Sequence, residues 1–231
     1  MANNSDTGTG TALPDTQVKD PEGLVKSKQR VTDHGEVFTP SWMVDDMLDL
    51  VKAESERIDS RFLEPACGSG NFLKSVLKRK LTTVQSRYGK SDFERRHHAL
   101  FALMCIYGIE LLKDNVEECR KSLLAIYAEY LRVNTDDVWT KAATVVLNAN
   151  ILQGDALTLT TTEGEPIEFP EWSYLGGGKF QRRNFIYDHL LQFAAYEHPN
   201  KTSSMFKELT KNDLFVPKET HAYGSVEEIA Q

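Results

Sequence analysis

The feature that most constrains this chain is a short apolar segment that runs into a glycine turn and then into a helix. Residues 61–66 have the composition of a buried strand, and Gly68 and Gly70 follow within the next few positions. A turn this tight uses backbone angles that favour glycine. Apolar side chains then recur at helical spacing over 72–84. The segment therefore predicts a strand, a tight turn and a helix that begins at about Asn71.

The alternation of strand and helix continues beyond this unit. Further strands are predicted at 105–110 and 150–155, with helices at 41–53, 92–104, 136–148 and from Asp114 onward. Strands that alternate with helices are typical of α/β proteins with a parallel, doubly wound sheet. Ligands of such sheets bind at the carboxyl ends of the strands, so the residues there are the first candidates for a functional site.

An acid stands at or near the end of each predicted strand, namely Glu64, Glu110 and Asp155. A glycine turn before a helix can bind a nucleoside triphosphate, a dinucleotide or S-adenosylmethionine, because bare backbone and the helix N-terminus approach the ligand. The triphosphate loop needs Lys and then Ser or Thr after its last glycine, and Asn71 stands there instead. The dinucleotide turn needs a third glycine, whose place Leu73 takes.

S-adenosylmethionine has a suitable group for each acid. Glu64 can pair with its ammonium, Glu110 can accept from both ribose hydroxyls, and Asp155 can accept from the adenine amino group. The alternative is an ordinary tight turn, with Glu110 and Asp155 serving as helix caps or solvated strand ends. Three acids in register after successive strands favour the ligand site over that alternative.

Four segments resemble, in the right order, the motifs of a known enzyme family. The segment 62–73 closely resembles the cofactor-binding motif of the adenine-N6 DNA methyltransferases of restriction–modification systems, including type I modification subunits. Segments 35–40, 107–110 and 153–156 resemble the motif before it and the two after it. The resemblance implies an α/β, Rossmann-like methyltransferase fold with a mostly parallel sheet, which this chain need not complete, and S-adenosylmethionine as cofactor.

The resemblance also implies which residues contact that cofactor. The N-terminal segment contacts it, the glycine turn holds its methionine part, and the residues after the second and third strands hold its ribose and adenine. Ile109 and Leu111 would flank the adenine ring, and Asp155 with Ala156 would bind its edge. The full implied set is Phe38, Thr39, Glu64, Ala66, Gly68, Gly70, Asn71, Ile109, Glu110, Leu111, Asp155 and Ala156.

The chain departs from the family at the catalytic motif. The family's Asp/Asn-Pro-Pro-Tyr/Phe tetrapeptide should follow the third acid, and no Pro-Pro occurs in this sequence. The nearest imitation, at 184–187, keeps Asn184 and Tyr187, and the alternative there is the interior of a helix over about 185–196. No catalytic residue is assigned. The resemblance implies a DNA methyltransferase or its cofactor-binding subunit, with an inactive partner subunit and a methyltransferase for another substrate as alternatives.

Charge and composition limit the partners. The net charge is −7, whereas proteins that bind DNA through a large electrostatic surface are normally basic. Contact with DNA would therefore need help from another chain, such as a subunit that carries the catalytic or target-recognition part. The basic excess at 74–98 indicates either a solvated helix face or a phosphate-facing patch. No apolar run is long enough for a membrane span, so no membrane association is expected.

Cysteine usage and patterning complete the sequence-based expectations. Three cysteines without a CxxC pair argue against zinc or another metal site and favour a reducing, cytoplasmic setting. The expected regions are a flexible tail at 1–30, a methyltransferase-like domain at 31–195 and a polar tail at 196–231. His97 and His98 are expected on a solvated helix. Trp172, near the basic stretch 179–183, indicates either a base-stacking platform or a hydrophobic anchor.

Overall fold

The computed structural model describes residues 25–34, 36–37, 39–188, 191 and 216–231. The chain divides into two compact units, Met1–Phe38 and Thr39–Gln231. The first unit contains helix α1, Lys28–His34, which begins inside the segment expected to be a flexible tail. The second unit holds the remaining described helices and strands.

The second unit follows the predicted alternation of helix and strand up to residue 155. Its helices are α2 (Ser41–Leu50), α3 (Lys52–Ser55), α4 (Asn71–Tyr88), α5 (Asp92–Met104), α6 (Lys113–Leu131), α7 (Val138–Asn150) and α8 (Val226–Ile229). Its strands are β1 (Phe62–Glu64), β2 (Ile106–Glu110), β3 (Ile151–Asp155), β4 (Thr160–Thr161), β5 (Glu168–Gly176), β6 (Lys179–Ile186) and β7 (Glu219–Tyr223).

The main sheet confirms the expected α/β class with a mostly parallel sheet. Its strand order is β1-β2-β3-β4, in which β1, β2 and β3 run parallel and the short β4 is antiparallel to β3. Each parallel crossover contains two helices, α4 with α5 and then α6 with α7, as parallel pairing requires a long connection. The carboxyl ends of β1, β2 and β3 therefore meet at one edge.

Alternate residues of β2 enter two different apolar cores. Ile106 faces the larger core, which the buried stripes of the helices build, and Tyr107 and Ile109 face a smaller core with Ile167 and Phe169. All five residues of β2 are buried, as expected for an inner strand that is covered on both faces. The sheet is thus sandwiched between a helical layer and the chain that follows β4.

Asn150 joins several elements at the junction of α7 and β3. Its Nδ2 donates to the carbonyl oxygens of Met104 (3.0 Å) and Ile106 (2.9 Å), and its Oδ1 accepts from Nε1 of Trp172 (3.0 Å). The side chain is fully buried, so each of these bonds satisfies a polar group that water cannot reach. Asn150 therefore fixes β2, β3 and β5 relative to one another.

The chain after β4 forms an antiparallel sheet that sequence patterns did not predict. Its order is β5-β6-β7, and the glycine turn at 176–178 joins β5 to β6. The prediction of a helix from 185 is wrong at its start, because Phe185 and Ile186 end β6. The polar tail expected at 196–231 contributes β7 and α8, and α8 buries Val226 and Ile229. Long-range pairing with β6 makes residues 219–223 a strand despite their polarity.

Among the described residues, no helix is both long enough and apolar enough to cross a membrane.

Candidate functional site

The three predicted acids share one edge and one face of the main sheet. Glu64 pairs in register with Gly108, and Glu110 pairs in register with Gln153. Side chains two residues apart on a strand face the same side, so Glu64, Glu110 and Asp155 all face the side of Gly108. A side chain at Gly108 would meet Leu73 of α4, which identifies this side as the helical one. The structure therefore brings together the acids that the sequence predicts.

The glycine turn is held between the end of β2 and helix α6. The backbone N–H of Gly68 donates to Oε2 of Glu110 at 2.8 Å, and the N–H of Cys67 donates to the carbonyl of Ile109 at 3.0 Å. Gly68 and Gly70 have positive φ angles of 52° and 86°, which is the region that favours glycine. A Cβ atom on Gly70 would lie 2.6 Å from Sγ of Cys119. Both the backbone angle and the close approach therefore require glycine at position 70.

Glu110 is a buried carboxylate that the protein itself orients. Besides Gly68, it accepts from the N–H of Leu112 at 3.0 Å and from Nδ2 of Asn115 at 3.4 Å. Its side chain is only 8% exposed. A carboxylate has about four lone-pair sites, so three bonds to the protein leave it able to accept from a ligand hydroxyl. The geometry fits a rigid acceptor beside the glycine turn.

Glu64 differs from Glu110 because its carboxylate has no hydrogen bond or ion pair with any described residue. It stands at the carboxyl end of β1 and is half-buried. Partial removal from water raises its pKa, since burial disfavours the charged form. A cationic ligand group beside Glu64 would stabilise the negative charge that water no longer fully solvates. An ammonium is therefore the group that this position suits best.

The N-terminus of α4 opens beside the same turn. Gly70 precedes the helix and provides no side-chain cap, and the first helical bond runs from the N–H of Lys74 to the carbonyl of Gly70 at 2.8 Å. The N–H groups of the first turn therefore lack partners within the helix, and the helix dipole adds positive potential there. Asn71 begins this turn and is half-buried. An anionic ligand group is stabilised at such a position.

Asp155 shapes the turn that leaves β3. Its Oδ1 accepts from the N–H of Leu157 at 2.7 Å, and its carbonyl accepts from the N–H of Leu159 at 2.8 Å. Leu157, which is 94% exposed, and Leu111, which is 51% exposed, both lie just beyond strand ends at this edge. Exposed leucines of this kind provide an apolar rim on which a flat ring can pack. Sequence reasoning missed Leu157, whose exposure no local pattern signals.

The other residues of the implied set lie in different surroundings. Ile109 is fully buried in the smaller core, on the opposite face of β2 from Glu110. Ala66 is exposed and Ala156 half-buried, each just beyond a strand end. Thr39 lies two residues before α2, and Phe38 lies outside the described residues. The edge therefore gathers the acids, the turn and Leu111, but not Ile109.

The imitation of the catalytic tetrapeptide lies in the antiparallel sheet. Asn184 is on β6, where its Oδ1 accepts from Nε of Arg182 at 2.8 Å and its Nδ2 donates to Glu219 at 3.4 Å. Tyr187 packs edge-to-face on Phe169 in the smaller core. Both side chains thus have structural partners, which argues against the catalytic interpretation. The helix-interior alternative is wrong for Asn184, which lies on β6.

The aromatic and histidine residues that the sequence singled out pack inside the fold. Trp172 is buried and bonded to Asn150, so it is a hydrophobic anchor. The expectation of solvated histidines is wrong for His97, which is buried against Trp139 and Phe93 and whose Nδ1 lies 2.7 Å from the carbonyl of Phe93. The contact of His97 with Trp139 and the bond between Trp172 and Asn150 join different elements of the fold, which helical spacing alone cannot predict.

The basic stretch 74–98 is partly bonded within the chain. Arg79 pairs with Asp49 at 2.7 Å, and Arg95 and Arg96 both pair with Asp92. Lys80 is fully buried, and its ammonium donates to the carbonyls of residues 57, 58 and 60. Half of the eight basic side chains in this stretch therefore have internal partners, which argues against a phosphate-facing patch.

Comparison with known proteins adds no assignment, since the chain matches no protein-family model, no curated protein and no solved structure. Within the described part of the chain, no group of three or more His, Cys, Asp or Glu residues could hold a metal ion. The functional interpretation therefore depends on the geometry of the sheet edge and on the sequence motifs.

Proposed function

We propose that this chain is the S-adenosylmethionine-binding unit of an adenine-N6 DNA methyltransferase of a restriction–modification system, with a Rossmann-like fold. The observation that supports it most is the convergence of Glu64, the Gly68–Gly70 turn, Glu110 and Asp155 at one edge and on one face of a parallel sheet. Parallel α/β sheets bind their ligands at this edge.

Each group at the edge matches one part of the cofactor. Glu64 pairs with the ammonium, and the N-terminus of α4 binds the carboxylate. Glu110, which its three donors already hold in place, accepts from a ribose hydroxyl. Asp155 accepts from the adenine amino group while Leu111 packs on the ring. When bound, S-adenosylmethionine supplies an electrophilic methyl group. The role of these residues is to hold the cofactor in one orientation at the sheet edge.

In this proposal a second chain supplies the residues that accept the target amino group and most of those that contact DNA. The sequence has no Pro-Pro, and the structural contacts of Asn184 argue against its acting as the acceptor of the target amino group. The net charge of −7 and the internally paired arginines also favour a second chain for most of the contact with DNA. The same observations favour, as a second candidate, a subunit that binds the cofactor without taking part in catalysis.

A reducing compartment is the proposed cellular setting, namely the cytoplasm. Cys67, Cys105 and Cys119 are the only cysteines of the chain, and all three are buried and free. Burial raises the pKa of the Cys105 thiol to about 11, so this cysteine stays protonated and unreactive at neutral pH.

Titration calorimetry with S-adenosylmethionine tests cofactor binding. Glu64→Gln removes the charge that pairs with the ammonium, and we expect Kd to rise about tenfold to a hundredfold. Because burial raises the pKa of Glu64, its charge weakens the fold as pH rises through that pKa, so the neutral Gln leaves stability unchanged or higher at pH 7. Glu129→Gln, an exposed acid on α6, is the matched control and should leave Kd unchanged.

A second variant tests the adenine end of the site. Asp155→Asn keeps an oxygen that can accept from Leu157, so the turn persists, but it presents an amide N–H₂ to the adenine amino group. We expect Kd to rise about tenfold for S-adenosylmethionine. Absence of uptake by folded wild-type chain would overturn the proposal. Transfer of labelled methyl to DNA only after addition of a second chain would support the split enzyme, and binding without any transfer would support the non-catalytic subunit.

A further inference from the structure

The two carboxylate oxygens of Glu110 have different numbers of donors. Oε1 accepts from the backbone N–H of Leu112 at 3.0 Å and from Nδ2 of Asn115 at 3.4 Å. Among the described residues, Oε2 accepts from a single donor, the N–H of Gly68 at 2.8 Å. Each carboxylate oxygen has about two lone-pair sites. Both sites of Oε1 are therefore filled, and Oε2 keeps one for a ligand.

Burial makes this difference between the oxygens matter for a ligand. Glu110 is 8% exposed and Asn115 is 1% exposed, so water has little access to either side chain. A buried carboxylate is stable only when its acceptor sites are filled, by the protein or by a ligand. The open site on Oε2 is therefore the place where a hydroxyl of a ligand gains most.

Asn115 is the residue that closes Oε1. It lies in the first turn of α6, and its backbone N–H donates to the carbonyl of Leu112 at 3.1 Å. The helix thereby places the side-chain amide against the same oxygen that accepts from the N–H of Leu112. Only the N–H₂ end of an amide can donate to a carboxylate, so the orientation of this amide is fixed. Because the donor is neutral, it fills a lone pair and leaves the charge of the carboxylate in place.

The two oxygens of Glu110 are also bonded to different ends of the candidate site. Oε2 is bonded to Gly68, in the glycine turn between Glu64 and the N-terminus of α4. Oε1 is bonded to Leu112, which directly follows the exposed Leu111. In the proposed function the first end takes the methionine part of the cofactor, and the second end takes the adenine ring. The carboxylate of Glu110 therefore lies between the two ends, with one oxygen toward each.

The ribose of S-adenosylmethionine has two ends of the same kind. Its C3′ carbon adjoins C4′, which carries the methionine arm through C5′, and its C2′ carbon adjoins C1′, which carries the adenine. The 3′-hydroxyl of a cofactor held in this way lies on the side of Oε2, and the 2′-hydroxyl lies on the side of Oε1. The oxygen beside the 3′-hydroxyl is the one that has a lone pair left.

We infer that Glu110 accepts from the 3′-hydroxyl of the ribose and not from the 2′-hydroxyl, and that Asn115 determines this choice by filling the second lone pair of Oε1. The sequence alone suggested that Glu110 serves both hydroxyls, whereas its three donors leave room for one. This assignment rests on the proposed function, which brings a ribose to the sheet edge. Asn115 is then a specificity-determining residue that acts through Glu110 without touching the cofactor.

Titration calorimetry of the wild-type chain with S-adenosylmethionine and its 2′-deoxy and 3′-deoxy forms tests the choice of hydroxyl. Removal of the 3′-hydroxyl should raise Kd at least about tenfold, because a hydrogen bond to a charged acceptor is lost. Removal of the 2′-hydroxyl should raise Kd less than about threefold. This measurement needs no variant. A loss for the 3′-deoxy form that does not exceed the loss for the 2′-deoxy form would overturn the inference.

Replacement of Asn115 by leucine tests the second part. Leucine has about the same size but cannot donate, so Asn115→Leu opens one lone pair of Oε1 toward the 2′-hydroxyl. The Kd of the 3′-deoxy form divided by that of the 2′-deoxy form should fall at least about threefold. Asn115→Ala removes the same donor with less volume, and it should shift this ratio in the same direction if leucine does not fit. Asn148→Leu changes an exposed asparagine on α7, and as the matched control it should change the ratio less than about twofold.

The outcomes separate a specificity role from a structural one and this inference from the proposed function. If Asn115 only stabilises the fold, its variants will lower the free energy of unfolding and leave the ratio of the two Kd values as in the wild type, which would refute its role in the choice. Uptake of S-adenosylmethionine without preference for the 3′-hydroxyl would refute the inference alone and leave cofactor binding intact. No uptake by the folded wild-type chain would refute the proposed function and, with it, the inference.

Discussion

Replacement of Gly70 by alanine tests whether the glycine turn is as tightly held as the structure indicates. The added Cβ would lie 2.6 Å from Sγ of Cys119, and the backbone angle φ is +86°. The left-handed conformation costs about 1–2 kcal/mol for a residue with a Cβ. Overpacking a buried site costs about 1–3 kcal/mol more. We therefore expect Gly70→Ala to lower the free energy of unfolding by about 2–5 kcal/mol.

The chain offers a matched control for the backbone cost. Gly164 has nearly the same φ angle, +84°, and a Cβ there would have no atom within 4 Å. Gly164→Ala should therefore lose only the conformational part, about 1–2 kcal/mol. The entropy that alanine removes from the unfolded chain is the same in both variants and cancels in their difference. The remainder measures the contact between position 70 and Cys119.

Urea unfolding followed by circular dichroism gives the free energies, and a double-mutant cycle assigns the contact. Cys119→Ala removes the sulfur atom, so in its presence Gly70→Ala should cost about 1–3 kcal/mol less than in the wild-type background. If Gly70→Ala costs no more than Gly164→Ala, or if Cys119→Ala rescues nothing, then the glycine turn does not pack against α6 as described.

Three further predictions concern buried polar groups. Asn150→Leu leaves the carbonyls of Met104 and Ile106 without their donor and should cost about 2–4 kcal/mol, whereas Asn148→Leu, exposed on the same helix, should cost less than about 0.5 kcal/mol in the same urea assay. Lys80→Met should cost about 2 kcal/mol at pH 7. Burial lowers the pKa of Lys80 from 10.5 to about 8, so the folded chain loses this proton at lower pH than the unfolded chain does. The stability of the wild type, unlike that of the variant, should therefore rise as pH increases from about 8 to 10.5. Burial also lowers the pKa of His98, whose Nδ1 is buried without a hydrogen-bond partner, so wild-type stability should fall as pH drops below 6.5. His98→Phe should flatten that part of the pH curve, and an unchanged curve would contradict the assignment.

Local patterns predicted the first part of the second unit well because each of its elements has a recognisable apolar pattern within a short stretch of sequence. The apolar stripe from Phe72 to Val84 forms α4, and the strand predicted at 105–110 forms β2 at Ile106–Glu110. Local patterns failed for β6, which begins with the basic stretch 179–183, and for β7, which lies in the expected polar tail. These segments are strands because distant parts of the chain pair with them, and such pairing leaves no short-range signal.

The candidate site shows the same division. Spacing along the chain was sufficient to place Glu64, Glu110 and Asp155 at strand ends, since parallel strands that alternate with helices have their carboxyl ends at one edge. It could not show that Glu110 is already bonded to Gly68 or that Ile109 faces the other core, because both depend on which side of β2 the helices cover.

The sequence by itself determined the order of strands and helices up to residue 155, the glycine turn and the acids at the strand ends, because these follow from residue type and periodicity over a few positions. Only the tertiary structure decided which partners the charges have and which face of each strand is buried. Those properties depend on contacts between residues far apart in the chain, such as Arg79 with Asp49 and Asn150 with Trp172.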